Sequence, residues 1–226
     1  VSDNFGTTYN NLNIVGATNT DSSGKLVLSE LDLNEKTSFV VNSGSTLNIS
    51  DIKLKGNETV ITNNNGNLIF TNNNIIDGKV TGTTATNTGT LEINADNLDV
   101  VLTNNGTLNL NTGVITKEIT GSGITQIAGA VKNDATISQG VNVNSSGSLT
   151  VNANIGDLVN NGTVNANTSN LAGSINNSGM LNLSGILDKE ISGLGTTKVV
   201  GDSFTLSNGA VVKGTLDVNN QTLNIT

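Results

Sequence analysis

The sequence NNGTLNL, residues 104–110, carries much of the structural information in the chain, because looser copies of it return along most of the length. Related copies are NSGSTLNI (42–49), NTGTLEI (87–93), NNGTV (160–164) and NSGML (177–181). Apolar residues at alternate positions predict a strand with one buried face, and Asn-Gly pairs predict turns, because both residue types tolerate positive φ. We therefore expect Leu108 and Leu110 to fill a core, Asn109 to face outward, and Gly106 to let the backbone change direction.

A glycine precedes a short alternating stretch at eleven places in the chain. These glycines are Gly24, Gly44, Gly66, Gly89, Gly106, Gly123, Gly147, Gly162, Gly179, Gly195 and Gly209. The intervals between them run from 14 to 24 residues and average about 18. Such a period suits one coil of a parallel β-helix, and the irregular spacing favours a right-handed helix over a left-handed hexapeptide helix, whose coil length is fixed.

An antiparallel sandwich or barrel is the alternative architecture, because it also uses short strands with frequent turns. Stacked coils place equivalent side chains about 4.8 Å apart, so Asn residues such as Asn104 and Asn105 can form hydrogen-bonded ladders along the stack. Proline, which cannot donate to a strand ladder, does not occur in the chain. We therefore predict an all-β protein: a right-handed parallel β-helix, or β-solenoid, with irregular coils of about 18 residues.

Two longer blocks resemble each other at an offset of 72 to 73 residues. LNLNTGVITKEITGSGITQIAG (108–129) matches LNLSGILDKEISGLGTTKVVG (181–201). We interpret them as a duplication of about four whole coils, with residues 91–163 and 164–226 as the duplicated blocks. The expected organisation is a single β-solenoid over residues 1–226, with residues 1–20, including Phe5 and Tyr9, as an N-terminal cap.

Composition narrows the classes of function. The chain has 226 residues, a net charge of −8 and a pI near 4.3, which argues against binding to nucleic acid or to an anionic membrane surface. It has no Cys, so disulfides and thiolate metal sites are excluded. No apolar run approaches the ~20 residues that span a bilayer, and we expect no membrane insertion of this segment.

Charged pairs are the candidates for catalysis. They are Asp96 with Asp99, Asp188 with Glu190, and Lys117 with Glu118, the last pair recurring as Lys189 with Glu190. Two carboxylates could serve glycoside hydrolysis, but a chain without His or Arg offers few groups for acid–base work. We interpret these pairs as polar turns and predict that the chain is not an enzyme.

Other binding chemistries have weak support. Asp32, Asp96 and Asp99 are scattered, so they do not predict a calcium site. Phe39 and Phe70 are expected in the core, and a single Thr-rich segment, residues 81–90, does not make an ice-binding face. We predict no catalytic, cofactor-binding or metal-binding residues and no cofactor.

Several segments resemble a known family. ITGSGITQIAGAVKNDATI (119–137), NSGMLNLSG (177–185) and ISGLGTTKVVG (191–201) are similar to the Asn/Gly/Thr-rich β-helical passenger repeats of bacterial autotransporter-type surface adhesins. The likeness runs from about Thr46 to Thr226. It implies a right-handed β-helix, export to the outer surface, and adhesion, aggregation or surface coating, and none of that family's catalytic residues maps onto this chain.

Three hypotheses for function remain open. The first is a non-catalytic structural or adhesive protein, secreted or on the bacterial cell surface: a rigid β-solenoid stalk or passenger region that contacts a host or neighbouring cell. The second is a self-assembling extracellular filament subunit, joined end to end by pairing of TLNIT (222–226) with NLNIV (11–15). The third is a polysaccharide-active enzyme on a β-helix. Any binding site must lie where the repeated pattern breaks.

Overall fold

The chain folds as a β-solenoid. A computed structural model describes residues 11–15, 30–32, 38–44, 46–55, 60–94, 97–218 and 220–226. Of these residues 67% are in strands, the strands pair in parallel, and coils about 17 residues apart make about ten turns. Among them the one helical element is a 3-10 turn, Thr168–Asn170. The predicted parallel β-helix is confirmed, and its right-handed sense stays an expectation from the general preference of parallel crossovers.

Each coil crosses three parallel sheets, which we call face 1, face 2 and face 3 in chain order. Face 1 contains β2 (Glu30–Asp32), β5 (Lys53–Lys55), β8 (Asn73–Ile76), β10 (Thr90–Ile93), β15 (Gly140–Val143), β17 (Leu158–Asn160), β19 (Ile175–Asn177), β21 (Glu190–Ser192) and β23 (Val211–Val212). Face 2 contains β3 (Ser38–Asn42), β6 (Val60–Asn64), β16 (Ser148–Val151), β18 (Thr163–Asn167) and β24 (Thr215–Asp217). Face 3 contains β1 (Asn11–Val15), β4 (Thr46–Ser50), β7 (Asn67–Thr71), β13 (Ile119–Thr120) and β25 (Thr222–Ile225).

Six longer strands bend around a corner and belong to two faces. Four of them pass from face 2 to face 3: β9 (Lys79–Asn87), β11 (Asn97–Asn104), β20 (Met180–Leu187) and β22 (Thr196–Leu206). The other two pass from face 1 to face 2: β12 (Thr107–Ile115) and β14 (Ile124–Asn133). The bends in β9, β12, β20 and β22 contain a glycine with positive φ: Gly82, Gly113, Gly185 and Gly201. A non-glycine residue would be strained in that conformation, so these glycines let a strand turn without ending.

The alternating residues behave as the sequence predicts. Leu108 and Leu110 are buried in the core, and Asn109 between them faces outward and is partly exposed. Leu108 is the register partner of Leu91 in the coil below, so identical side chains stack along the column. Phe70, also expected in the core, is fully buried.

Copies of the repeated sequence occupy all three corners of the coil. Residues 42–49 span the corner from face 2 to face 3, and residues 87–93 and 104–110 span the corner from face 3 to face 1. Residues 160–164 and 177–181 span the corner from face 1 to face 2. The environments of the copies differ: Asn42 is exposed and Gly44 has a positive φ with no atom within 4 Å of a Cβ, whereas Gly106 and Gly162 contact the backbone of the neighbouring coil.

The predicted reason for a glycine at position 106, a positive φ, is wrong. The φ of Gly106 is not positive, and the same holds for Gly89, Gly123 and Gly162. A Cβ at Gly106 would overlap the carbonyl oxygen of Gly89 one coil below. Glycine is needed here because the backbones of successive coils touch, which leaves no room for a side chain.

Buried asparagines close these corners from inside. The Oδ1 of Asn87 accepts a hydrogen bond from the N–H of Gly89 at 3.2 Å, and its Nδ2 donates to Oδ1 of Asn104 at 2.7 Å. The same arrangement occurs at another corner, where Nδ2 of Asn160 donates to Oδ1 of Asn177 at 2.8 Å. The predicted asparagine ladders are confirmed, and at these corners they lie inside the coil, where unpaired amides would be costly.

The two similar blocks do not stack as whole coils. Leu108 lies on face 1, whereas its counterpart Leu181 lies on face 2, four coils further on. Ile119 lies on face 3 and its counterpart Ile191 on face 1. The offset is therefore four coils plus one face, which corrects the expectation of four whole coils. This displacement is tolerated because all faces require the same alternation of residues. The assignment of residues 91–163 and 164–226 as copies stays a prediction.

The predicted N-terminal cap falls mostly outside the described residues, as do Phe5, Tyr9 and the side chain of Phe39. Within residues 1–20, β1 is the described part. It pairs in parallel with β4 over five positions, so this stretch is a regular solenoid strand.

Replacing Gly106 with alanine should lower the free energy of unfolding by about 3 kcal/mol, because the new Cβ overlaps a backbone oxygen that cannot move aside. The matched control is Gly140→Ala. At Gly140 φ is not positive and the nearest atom to a Cβ is Cγ1 of Ile124 at 4.0 Å, so the change should be within roughly 1 kcal/mol. Urea unfolding followed by circular dichroism measures both, and equal losses would contradict the account.

Candidate functional site

The charged pairs suggested by the sequence do not converge on one place. Lys117 Nζ lies 4.0 Å from Asp99 Oδ1, with both side chains about half exposed, and Glu190 pairs with Lys213 at 2.7 Å. Asp188 is also exposed. Asp96 and the side chain of Asp32 lie outside the described residues. Over the described part of the chain, no three Asp, Glu, His or Cys residues gather as a metal-binding group.

Outward carboxylates instead bond to the coil next to them. The backbone N–H of Ser174 and its hydroxyl both donate to Asp157 at 2.8 Å. These hydrogen bonds, with the N–H contributing more, lower the pKa of that carboxyl. The Asn152 side chain, with a smaller contribution from Lys132, lowers the pKa of Asp134. These acids therefore contribute to coil stacking as hydrogen-bond acceptors.

The Thr-rich segment, residues 81–90, does not form a flat array. It follows β9 around the corner from face 2 to face 3, so its threonines point in different directions. Thr81 shares a hydrogen bond with Thr62 at 3.2 Å, whereas Thr83 and Thr84 are exposed at the bend. Ala85 points into the core.

The regular pattern breaks at the 3-10 turn. Asn167 caps this turn, because its Oδ1 accepts from the N–H of Ser169 at 3.0 Å. Lys189, one coil above, places its Nζ against three backbone carbonyl oxygens that follow the turn: Leu171 at 2.6 Å, Ala172 at 3.2 Å and Gly173 at 3.5 Å. The ammonium thus donates hydrogen bonds to these carbonyl oxygens, as a strand N–H does elsewhere, and it satisfies the carbonyls at the break.

This break opens a groove of about 520 Å³ on the side of the solenoid. It is lined by Asn167, Thr168, Leu171, Ile186, Asp188 and Lys189, among others. Ile186 is 60% exposed at its rim. Sequence reasoning gave no special weight to Lys189, because duplication explains why Lys117-Glu118 recurs as Lys189-Glu190 and both pairs were interpreted as polar turns. The signal available was the TSN tripeptide (168–170), which interrupts the alternation.

Two threonines occupy inward positions that other coils fill with aliphatic residues. Thr125 is the register partner of Leu108 and Val141, and its Oγ1 accepts from Nε2 of Gln139 at 2.7 Å. Thr197 is the partner of Leu181, and its Oγ1 is buried without a hydrogen-bond partner. A buried hydroxyl without a partner destabilises the fold.

The last coil, formed by β23, β24 and β25, leaves the core partly uncovered. Each strand puts an apolar residue in an inward column above a buried residue, yet each is only partly buried: Val212 above Ile191, Leu216 above Thr197, and Leu223 above Phe204. Ile225 is 77% exposed, although Leu187, two coils below in its column, is 1% exposed.

Comparison with protein-family models, with curated proteins and with solved structures finds no match for this chain. Within the described ranges, no helix combines the length and the apolar character needed to cross a membrane.

Replacing Thr197 with valine should raise the free energy of unfolding by about 1 kcal/mol, because it removes a buried hydroxyl that has no partner. The matched control is Thr125→Val, which should lower it by roughly 1–3 kcal/mol because Nε2 of Gln139 loses its acceptor. Thermal and urea unfolding test the pair. The opposite order of stabilities would show that the two hydroxyls are not distinguished by their hydrogen bonds.

Proposed function

We propose that the chain is a non-catalytic structural or adhesive module, a rigid β-solenoid stalk of the kind found in passenger regions of bacterial surface adhesins. The proposal includes a location outside the cell or on its surface, and contact with a host or neighbouring cell. Its support is the combination of a continuous solenoid with the resemblance of residues 119–137 and 177–201 to such repeats.

One observation carries the proposal: the outward side chains bond to the coils beside them instead of converging on a site. Asn182 donates to Asn165 at 2.8 Å, and Asn111 donates to Asn94 at 2.6 Å. Such ladders connect equivalent positions of successive coils. The polar side chains in these ladders therefore hold neighbouring coils together, which is a structural role.

We also propose that the chain is not an enzyme. Catalytic carboxylates in glycoside hydrolysis act as a facing pair, and acid–base sites depend on groups with tuned pKa values. Among the described residues, hydrogen bonds from neighbouring coils lower the pKa values of Asp51, Asp134 and Asp157. A general acid needs a raised pKa, so these groups suit a stacking role better.

A rod of about ten turns at ~4.8 Å should be roughly 50 Å long. Small-angle X-ray scattering of the purified chain at low concentration should give this length, with one narrow cross-section along it. A compact, near-spherical particle would contradict the stalk. A screen of polysaccharides tests the proposal that the chain is not an enzyme, and saturable turnover of any of them would overturn that proposal. Antibody labelling of intact cells that make the chain should detect it at the surface, whereas labelling only after permeabilisation would contradict that location.

A second candidate function is a filament subunit that joins end to end. Its support is the sequence of the two strands: NLNIV (11–15) and TLNIT (222–226) carry no charge, and charges commonly protect strands from edge pairing.

A further inference from the structure

Some asparagines of this chain are followed directly by glycine, and such a pair can react with itself. The backbone nitrogen of the glycine can attack the carbon of the asparagine side-chain amide. Glycine obstructs this attack least, since it has no Cβ and its backbone rotates most freely. The pairs are Asn65-Gly66, Asn105-Gly106, Asn161-Gly162 and Asn208-Gly209.

Two of these glycines already use their N–H groups. The N–H of Gly66 donates to Oδ1 of Asn63 at 2.8 Å, and the N–H of Gly162 donates to Oδ1 of Asn160 at 3.1 Å. Both accepting side chains are buried. Gly162 is buried as well, and a Cβ there would overlap the carbonyl oxygen of Gly147. A nitrogen held in this way keeps its proton and cannot turn toward the side chain before it.

The pair Asn105-Gly106 is restrained through its side chain and its backbone. Oδ1 of Asn105 accepts hydrogen bonds from the N–H of Ser122 at 3.1 Å and from the Ser122 hydroxyl at 3.3 Å, in the next coil. Gly106 lies against the backbone of Gly89 in the coil on its other side. Asn105 and Asn161 are both exposed, so it is the fixed backbone, and not lack of water, that restrains these pairs.

The pair Asn208-Gly209 has none of these restraints. It occupies the turn between β22 and β23, which the N–H of Ala210 closes by donating to the carbonyl oxygen of Ser207 at 3.0 Å. Gly209 has a φ of 91° and Asn208 has no positive φ, which is the pattern of a type II turn. Both residues are exposed, and a Cβ at Gly209 would meet nothing within 4 Å. Within the described residues, neither the Asn208 side chain nor the Gly209 N–H has a hydrogen-bond partner.

We propose that Asn208 is a site of spontaneous deamidation in the folded chain. The Gly209 N–H gives its proton to water, and the nitrogen attacks Cγ of Asn208. The N–Cγ bond forms, the Cγ–Nδ2 bond breaks, and the amide nitrogen takes a proton from water and leaves as ammonia. Water then opens the cyclic imide and leaves an aspartate or an isoaspartate at this position. The reaction needs no enzyme and does not depend on the proposed function.

The deamidation changes one turn of the solenoid. It adds one negative charge to a chain whose net charge is −8. An isoaspartate also lengthens the backbone by one carbon, in the turn that leads into the pairing of β23 with β21. At the other Asn-Gly pairs, the contacts between coils that hold the solenoid together also protect the chain from this reaction.

Incubation of the folded chain in mildly alkaline buffer made with heavy-oxygen water tests the proposal, because the water that opens the imide labels each newly modified site. Peptide mapping by mass spectrometry should find the label at Asn208 at least about tenfold faster than at Asn161, since Asn161 reacts only when its coil opens locally. Anion exchange should separate a species with one added negative charge. Equal rates at Asn208 and Asn161, or no label at Asn208, would overturn the proposal.

The denatured chain is the control for local sequence. In guanidinium chloride all the Asn-Gly pairs should take up label at comparable rates, because the contacts between coils are lost. A preference for Asn208 that persists there would show that the fold does not select this site.

Asn208→Gln is the matched variant, because glutamine must close a larger ring and reacts more slowly. It should remove the added negative charge and leave the urea unfolding midpoint unchanged, since the side chain is exposed. If the charged species forms as fast in Asn208→Gln as in the parent chain, the modification lies elsewhere and the assignment is wrong.

Discussion

Backbone contact at the corners is the constraint on which the rest of the structure depends. At the corners on either side of face 1, an inward Asn bonds to the turn and to the coil beside it, and a Gly two residues later lets the coils touch. Because a strand stack has a fixed spacing of ~4.8 Å, a side chain on that glycine cannot be accommodated by moving the coils apart. The buried amides supply hydrogen bonds at the places where the strand ladder is interrupted. Narrow aliphatic columns fill the remaining interior.

This corner explains how the chain tolerates internal copying. The corners on either side of face 1 share a buried Asn with a Gly two residues later, and all three faces alternate inward and outward residues. The similar blocks therefore fit with a displacement of one face, from Leu108 on face 1 to Leu181 on face 2. Some local features depart from this repeated pattern. They are the 3-10 turn with Lys189 bonded to three carbonyl oxygens, and the buried hydroxyl of Thr197.

The sequence predicted the coil, the inward leucines and the asparagine ladders, because these follow from alternation and from repeated local patterns. It did not predict why Gly106 is glycine, since the atom that excludes a side chain belongs to a residue one coil away. It also missed the displacement of the similar blocks, because an offset of 72 to 73 residues does not reveal where each corner falls. The role of Lys189 depends on the 3-10 turn one coil below it. Contacts between coils are non-local, so a linear pattern of residues specifies them only after the register is known.

A double-mutant cycle on Asn160 and Asn177 tests the central claim most directly. Their side chains are buried and hydrogen-bonded at 2.8 Å across two coils. The account predicts that Asn160→Ala and Asn177→Ala are coupled by about 1 kcal/mol or more in the free energy of unfolding, within the range seen for residues of one network. Matched measurements on the single and double variants by urea unfolding give this coupling. Additive effects, within about 0.3 kcal/mol, would contradict the claim that the corner amides act together to hold the coils.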